Sequence, residues 1–241
     1  MNTAKTDRKL EIDKTCSIKN IRSRFIDGIT VMVGGFGVPG TPFTLIDALL
    51  ATGATDLTLI KNEANEDHMG LSKLIEAGRA KKIITSHLGL NATVTGIMNR
   101  GEIEVEFYPQ GILAEKIRAG GAGLFGFLTD IGIDTILREK KQTVTIDGRE
   151  MIAEPALHAD VALIHAALAD RSGNLVYEKS ARNFNPLMAT AADTVIAEVE
   201  RVVETGSLDP DQIHTPGAFV DHVVEIKELT KEYGVLAHNV I

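Results

Sequence analysis

DGITVMVGGFGVPGTP, residues 27–42, sets an apolar run against a cluster of glycines. The run occupies 29–33 with a single Thr in it, and it stops at a Gly-Gly pair. Gly34, Gly35, Gly37 and Gly40 fall within seven residues. A short β-branched run bounded by turn residues reads as a buried strand. Glycine tolerates positive φ and lets a backbone approach another molecule closely. Pro39 and Pro42 delay the next helix to about residue 42, after which Phe43, Ile46, Leu49 and Leu50 form one apolar face. The order is strand, backbone-lined loop, helix. The loop lies at the carboxyl end of the strand, where ligands sit in open α/β sheets.

The helix has a readable start and stop: Thr41 as cap, Pro42 at the first helical position, Gly53 after the last turn. Free N–H groups and aligned peptide dipoles at its start favour a phosphate or carboxylate guest. Gly35, Gly37 and Gly40 also spell GxGxxG, with Glu63 about where a ribose-binding acid belongs. That keeps a nicotinamide-dinucleotide oxidoreductase as an alternative, although a dinucleotide fingerprint opens its helix inside the glycine run. A purely structural glycine turn is a further alternative.

Outward from this stretch, residues 1–15 are charged and aperiodic and read as a polar tail, with 16–241 as a single domain. The N-terminus lacks the apolar core of a signal peptide, and no apolar run is long enough to span a membrane. Cys16, the one cysteine, excludes an internal disulfide, fits a reducing cytoplasm and reads as a packing residue. A net charge of −8 argues against nucleic acid, and leaves any anionic ligand to local dipoles and a few cations.

An amphipathic helix at 18–26 leads into the first strand. Strands are then expected at 56–60, 82–85 and 103–108, alternating with helices at 69–77, 93–99 and 112–119. That alternation argues for parallel βαβ units, hence an α/β fold with a mostly parallel sheet flanked by helices. Asp147-Gly148 marks a hairpin within 142–153. An apolar run at 161–169 is a central strand, 170–174 a turn, and 195–203 and 219–226 two more strands; the last dozen residues read as a polar tail.

The loop 61–68 carries Glu63, Glu66, Asp67 and His68 without metal-ligand spacing, so it reads as a solvated acidic loop and no metal is expected. It emerges beside the glycine loop. His87 reads as a structural histidine. Gln110 stands at a strand-to-helix junction, as a cap or as an amide donor to a ligand oxygen. Gly120, Gly121, Gly123 and Gly126 suggest a mobile flap.

Asp27, Gly28, Val31, Met32, Val33, Gly34, Gly35, Phe36, Gly40 and Pro42 fill every fixed place of one known signature. The stretch resembles the α (A) half of family I coenzyme A-transferases. PQGILAEKIRAGGAG at 109–123 and SARNFN at 180–185 resemble further blocks of that family, and 86–91 resembles its butyrate–acetoacetate or acetate type. The resemblance runs from about residue 18 to 225. It implies that Asn62 and Gln110 lie in the active site, positioning substrate or stabilising an oxyanion. It also implies that Gly34, Gly35, Phe36, Gly37, Val38, Pro39 and Gly40 line the coenzyme A site, and that Arg182 orders a loop or a partner contact. Where many relatives read Asn-Asn-Ala-Gly this chain has Asn62-Glu63-Ala64-Asn65, and Thr129-Asp130-Ile131-Gly132 stands for Thr-Pro-Thr-Gly.

The family's nucleophile is a glutamate in a second, β (B) half, within a Glu-Asn-Gly motif, and it works through acyl-anhydride and enzyme–CoA thioester intermediates. No Glu-Asn-Gly occurs in these 241 residues. The resemblance therefore implies the α subunit of a heteromeric transferase, expected as α2β2 with a β subunit. It would move coenzyme A, as a substrate with no tightly bound cofactor, between acetoacetyl-, butyryl- or acetyl-CoA and a short-chain carboxylate. The alternatives are a subunit of a 3-oxoadipate or succinate 3-oxoacid transferase and a non-catalytic acyl-CoA-binding module.

Overall fold

The computed structural model describes residues 12–139 and 141–234. A short helix α1 (Ile18–Ile21) precedes β1 (Thr30–Val33), and α2 (Phe43–Leu50) follows the glycine loop. Strand and helix then alternate through β2 (Leu57–Ile60), α3 (Ser72–Glu76), β3 (Ala80–Thr85), α4 (Ala92–Asn99), β4 (Glu104–Phe107) and α5 (Gln110–Gly121). β1 to β4 pair in that order and all in parallel. An antiparallel excursion follows: β5 (Gly126–Thr129), β6 (Thr143–Ile146) and β7 (Arg149–Pro155), in spatial order β5-β7-β6. Its hairpin turns on Asp147 and Gly148 at φ 50° and 76°, the pair of positive angles that a type I′ turn needs.

The chain then crosses to the other side of β1. β8 (Ala159–Asp170) pairs with β1, carries the short antiparallel β9 (Leu175–Val176), and is followed after α6 (Asn185–Thr190) by β10 (Ala192–Val203) and β11 (His222–Glu225). The strand order β11-β10-β8-β1-β2-β3-β4 makes β1 the point where the direction of winding reverses. A crevice opens at the carboxyl ends of strands at such a point. The glycine loop leaves β1 there.

Alternation along the strands builds two cores. Val31 and Val33 face Leu45, Ile46 and Leu49 of α2, whereas Met32 faces Ile112, Leu113 and Ile117 of α5 and Met188 of α6. Burial on both faces explains why 29–33 and 161–169 are near-continuous apolar runs, interrupted only by Thr30 and His165. Truncating Met32, fully buried, to Ala would cost about 2–5 kcal/mol.

Three expectations change. The helix at 18–26 is α1 plus a 3₁₀ turn at Arg22–Arg24. The glycine segment read as a flap is the end of α5 and the start of β5. Gly120 packs so closely there that a Cβ would strike the Leu157 carbonyl. The segment read as a polar tail contains a 3₁₀ turn, Lys231–Gly234, whose Tyr233 packs edge-on against Phe43 at 4.9 Å between ring centroids. At the other end, Lys14 N–H donates to the Arg171 carbonyl (2.8 Å) and Thr15 bridges Val223. The expected N-terminal tail falls mostly on residues 1–11, outside the described residues.

Candidate active site

The glycine loop begins as an extension of the sheet, with Gly34 N–H donating to the Leu163 carbonyl (2.9 Å). Gly35 then turns at φ 99°, where a Cβ would run into Thr41. Gly40 turns back at φ 74° against the Ala181 carbonyl. Inside the loop, Phe36 N–H donates to the Pro39 carbonyl (3.1 Å) and the Thr41 hydroxyl to the Gly37 carbonyl (2.7 Å).

Three asparagines clamp it from outside. Asn185, fully buried, donates to the carbonyls of Gly40 (3.0 Å) and Ala181 (2.8 Å) and accepts from His165 N–H (3.1 Å). Asn183 donates to the Pro39 carbonyl (2.9 Å), and Asn65 to the Gly37 carbonyl (2.8 Å). Among the described residues, the N–H groups of Gly35, Val38 and Gly40 have no protein acceptor. Val38 turns inward onto Phe43 and Met69, while Phe36 is exposed at the edge of the loop.

The start of α2 differs from its expected form. Pro42 takes the cap position, and the Thr41 hydroxyl is spent on Gly37. The acceptor at this helix start comes from the protein itself. Glu198 of β10, wholly buried, accepts from Leu45 N–H at 3.0 Å. Burial pushes its carboxyl above the usual range, and His165 at 3.0 Å opposes that shift. The Tyr233 hydroxyl completes the cluster, donating to the Thr41 carbonyl and meeting His165 Nδ1 at 2.9 Å. Substrate anions are therefore left to the loop, not to the helix start.

Three neighbouring loops converge on the glycines. The Gln110 amide donates to Asn62 Oδ1 (2.9 Å), and Asn62 donates to Glu63 Oε2 (2.6 Å). Glu63 Oε1 accepts from Gly37 N–H (3.1 Å) and from the Lys61 ammonium. The Ser86 hydroxyl lies 2.7 Å from the Asn62 carbonyl and 2.9 Å from its Oδ1. One hydrogen-bonded chain thus joins the loops after β1, β2 and β3 to the start of α5. Gln110 is exposed and carries a second amide hydrogen that can meet a ligand, whereas Asn62 is buried and holds Gln110 in place.

The loop 61–68 is solvated only in its second half. Lys61 and Asn62 are 0% exposed and Glu63 6%, while Glu66, Asp67 and His68 are exposed. Burial depresses the Lys61 pKa, and the Glu63 carboxylate in contact with it works the other way. The pairing is what allows a lysine to be buried there. Asn65 sits at φ 63°, a left-handed angle that Asn tolerates. Among the described residues, no three His, Cys, Asp or Glu side chains are placed to hold a metal ion.

Between these loops lies a cleft of about 70 Å³, with Phe36, Leu88 and Leu90 on its apolar walls and Glu63, Glu66 and His87 beside them. His87 Nδ1 lies 3.1 Å from the Ser86 hydroxyl, within the same network. Arg182 is exposed, and Cys16, half-buried with its thiol pKa raised by burial, lies elsewhere. Sequence reading missed the roles of Lys61, His165, Glu198 and Tyr233. Asn183 and Asn185 lay inside the SARNFN motif, which was the signal for them.

Residues 15–226 match the profile of the coenzyme A transferase family. The alpha chain of the acetate CoA-transferase of Escherichia coli K12 is 49% identical over 215 residues, covering 89% of this chain and 98% of that protein. The corresponding chain of the 3-oxoadipate CoA-transferase of Pseudomonas putida is 49% identical over 218 residues, 89% of this chain and 94% of that one. The solved acyl-CoA transferase of Escherichia coli O157:H7, a thioester complex with CoA, superposes with a TM-score of 0.82 at 24% identity. That likeness, in fold, covers 91% of this chain and 48% of the other.

Proposed function

The chain belongs to the coenzyme A transferase family, and on that premise we propose that it is the α subunit of a heteromeric CoA-transferase, working with a β subunit in the cytoplasm. Its substrates in this reading are a short-chain acyl-CoA and a carboxylate acceptor. Coenzyme A enters as a substrate, and no resident cofactor takes part. The family resemblance puts the nucleophilic glutamate on the β subunit. That carboxylate attacks the acyl-CoA carbonyl, forming a mixed anhydride and releasing the CoA thiolate. The thiolate attacks the glutamyl carbonyl, giving the enzyme–CoA thioester and the free acid. An acceptor carboxylate then reverses both steps. Each step passes through a tetrahedral oxyanion, where fixed donors contribute most.

The chain Gln110–Asn62–Glu63–Gly37 carries this reading. It ties an exposed amide, suited to meeting an oxyanion, to the glycine loop. Both Glu63 oxygens are already bonded. The cleft has room for a few water molecules or a short acyl group, too little to enclose an acyl-CoA, which fits a site completed by a second chain. The relatives are themselves designated as subunits, which supports the heteromer, and α2β2 is the stoichiometry we propose. A 3-oxoadipate-type reaction is the second reading, favoured by a relative at the same 49% identity as the acetate-type one.

Co-expression with the adjacent reading frame, purification and an acetate-dependent exchange assay test the proposal. Transfer is expected from the complex and not from this chain alone. A complex that exchanges CoA with no carboxylate would refute it.

A further inference from the structure

We propose that Glu63 sets the class of acid the enzyme accepts, by denying the cleft a free cation and so selecting acids without a second carboxylate. The inference rests on the transferase reading above and deepens it.

Glu63 lines the cleft and stands next to Asn62, the residue that holds Gln110. Its neighbour Lys61 would otherwise be the natural partner for the distal carboxylate of a diacid. Lys61 is fully buried, and its ammonium is already paired with Glu63 Oε1. The other Glu63 oxygen is held by Asn62 and the first also by Gly37 N–H, so the carboxylate is fixed from three directions. Glu66 adds a second acidic group to the same wall. His87, the remaining group there that can carry a positive charge, is engaged with Ser86. The rest of the wall that the argument needs is apolar: Phe36, Leu88 and Leu90.

A terminal methyl meets favourable surface in such a cleft. A terminal carboxylate at the same place loses water, meets two like charges and finds no unpaired ammonium. Like charges a few ångströms apart at the effective dielectric of a protein site separate affinities by at least about tenfold. Neutralising Glu63 removes one repulsive charge and leaves the buried Lys61 without its partner, so that an incoming carboxylate can take the place of Glu63 beside the ammonium. Both changes favour a diacid.

Butyrate and succinate test this, because they differ only in a terminal methyl against a carboxylate. With the α–β complex and one acyl-CoA donor, wild type is expected to favour butyrate in kcat/KM by about tenfold or more. Glu63→Gln is expected to narrow that ratio about tenfold, chiefly through a lower KM for succinate. Lys61→Met combined with Glu63→Gln removes both charges and should push the succinate KM back up. A structural role for Glu63 would instead lower kcat for both acids alike. Wild type preferring succinate, or a ratio unmoved by Glu63→Gln, overturns the inference. Should the variant fail to assemble, the wild-type ratio decides alone. A complex inactive with every acid refutes the transferase reading itself, a different outcome from a reversed preference.

Discussion

Gln110 and His214 show what a single side chain contributes at this site and near it. Gln110 offers its amide to Asn62 and keeps one N–H outward. Gln110→Ala in the α–β complex should lower kcat about tenfold to a thousandfold if that N–H meets the oxyanion. A rise in KM with kcat unchanged would instead assign it to uniform substrate binding. His214 Nδ1 accepts from Tyr177 N–H (2.9 Å), so this nitrogen must be unprotonated, and the ring stacks on Tyr177. Burial, and then the Arg182 charge, hold its pKa below the usual 6.5. A depressed folded pKa gives a contribution that is complete above 6.5 and is lost as pH falls through the folded value. The urea midpoint of wild type should therefore drop on going from about pH 7 to about pH 5, and drop less in His214→Asn, which keeps an acceptor that does not titrate. Equal drops would contradict this.

The glycine loop is the element where sequence and structure meet most fully. Its strand, its glycines and its helix were legible, because a run of β-branched residues, a φ requirement and a 3.6-residue period are all local signals. Its supports were not. Glu198 caps α2 from β10, and Tyr233 reaches Thr41 from beyond the last strand. Neither is marked by pattern: Glu198 is an acid interspersed in an apolar strand and Tyr233 stands in a polar segment, and only the fold brings them to the loop. Lys61 and Glu63 looked solvated for the same reason: charge in a loop gives no sign of its own burial. Asn185 is the clearest test of the clamp. Asn185→Ala removes two donated bonds and one accepted bond from a fully buried site, with an expected cost of about 2–4 kcal/mol in urea unfolding. A loss below about 0.5 kcal/mol would mean that the loop holds its shape without the clamp.

At the scale of the whole molecule, the alternating βα pattern from residue 29 to 119 was enough to give the parallel half of the sheet. The reversal that places β8 beside β1 was not readable, because a long crossover leaves no local trace of which edge it reaches. That reversal puts the glycine loop at the switch point and brings Asn185 and His165 beneath it. The result is a wall of donors around Gln110 and the glycines, with both oxygens of its buried carboxylate bonded, which suits half of a shared site. The most direct measurement is intact mass of both chains after the α–β complex is incubated with acyl-CoA and no acceptor. The expected result is a CoA adduct on the β chain and an unmodified α chain. A CoA adduct on this chain, at Glu63 or Glu66, would contradict the account.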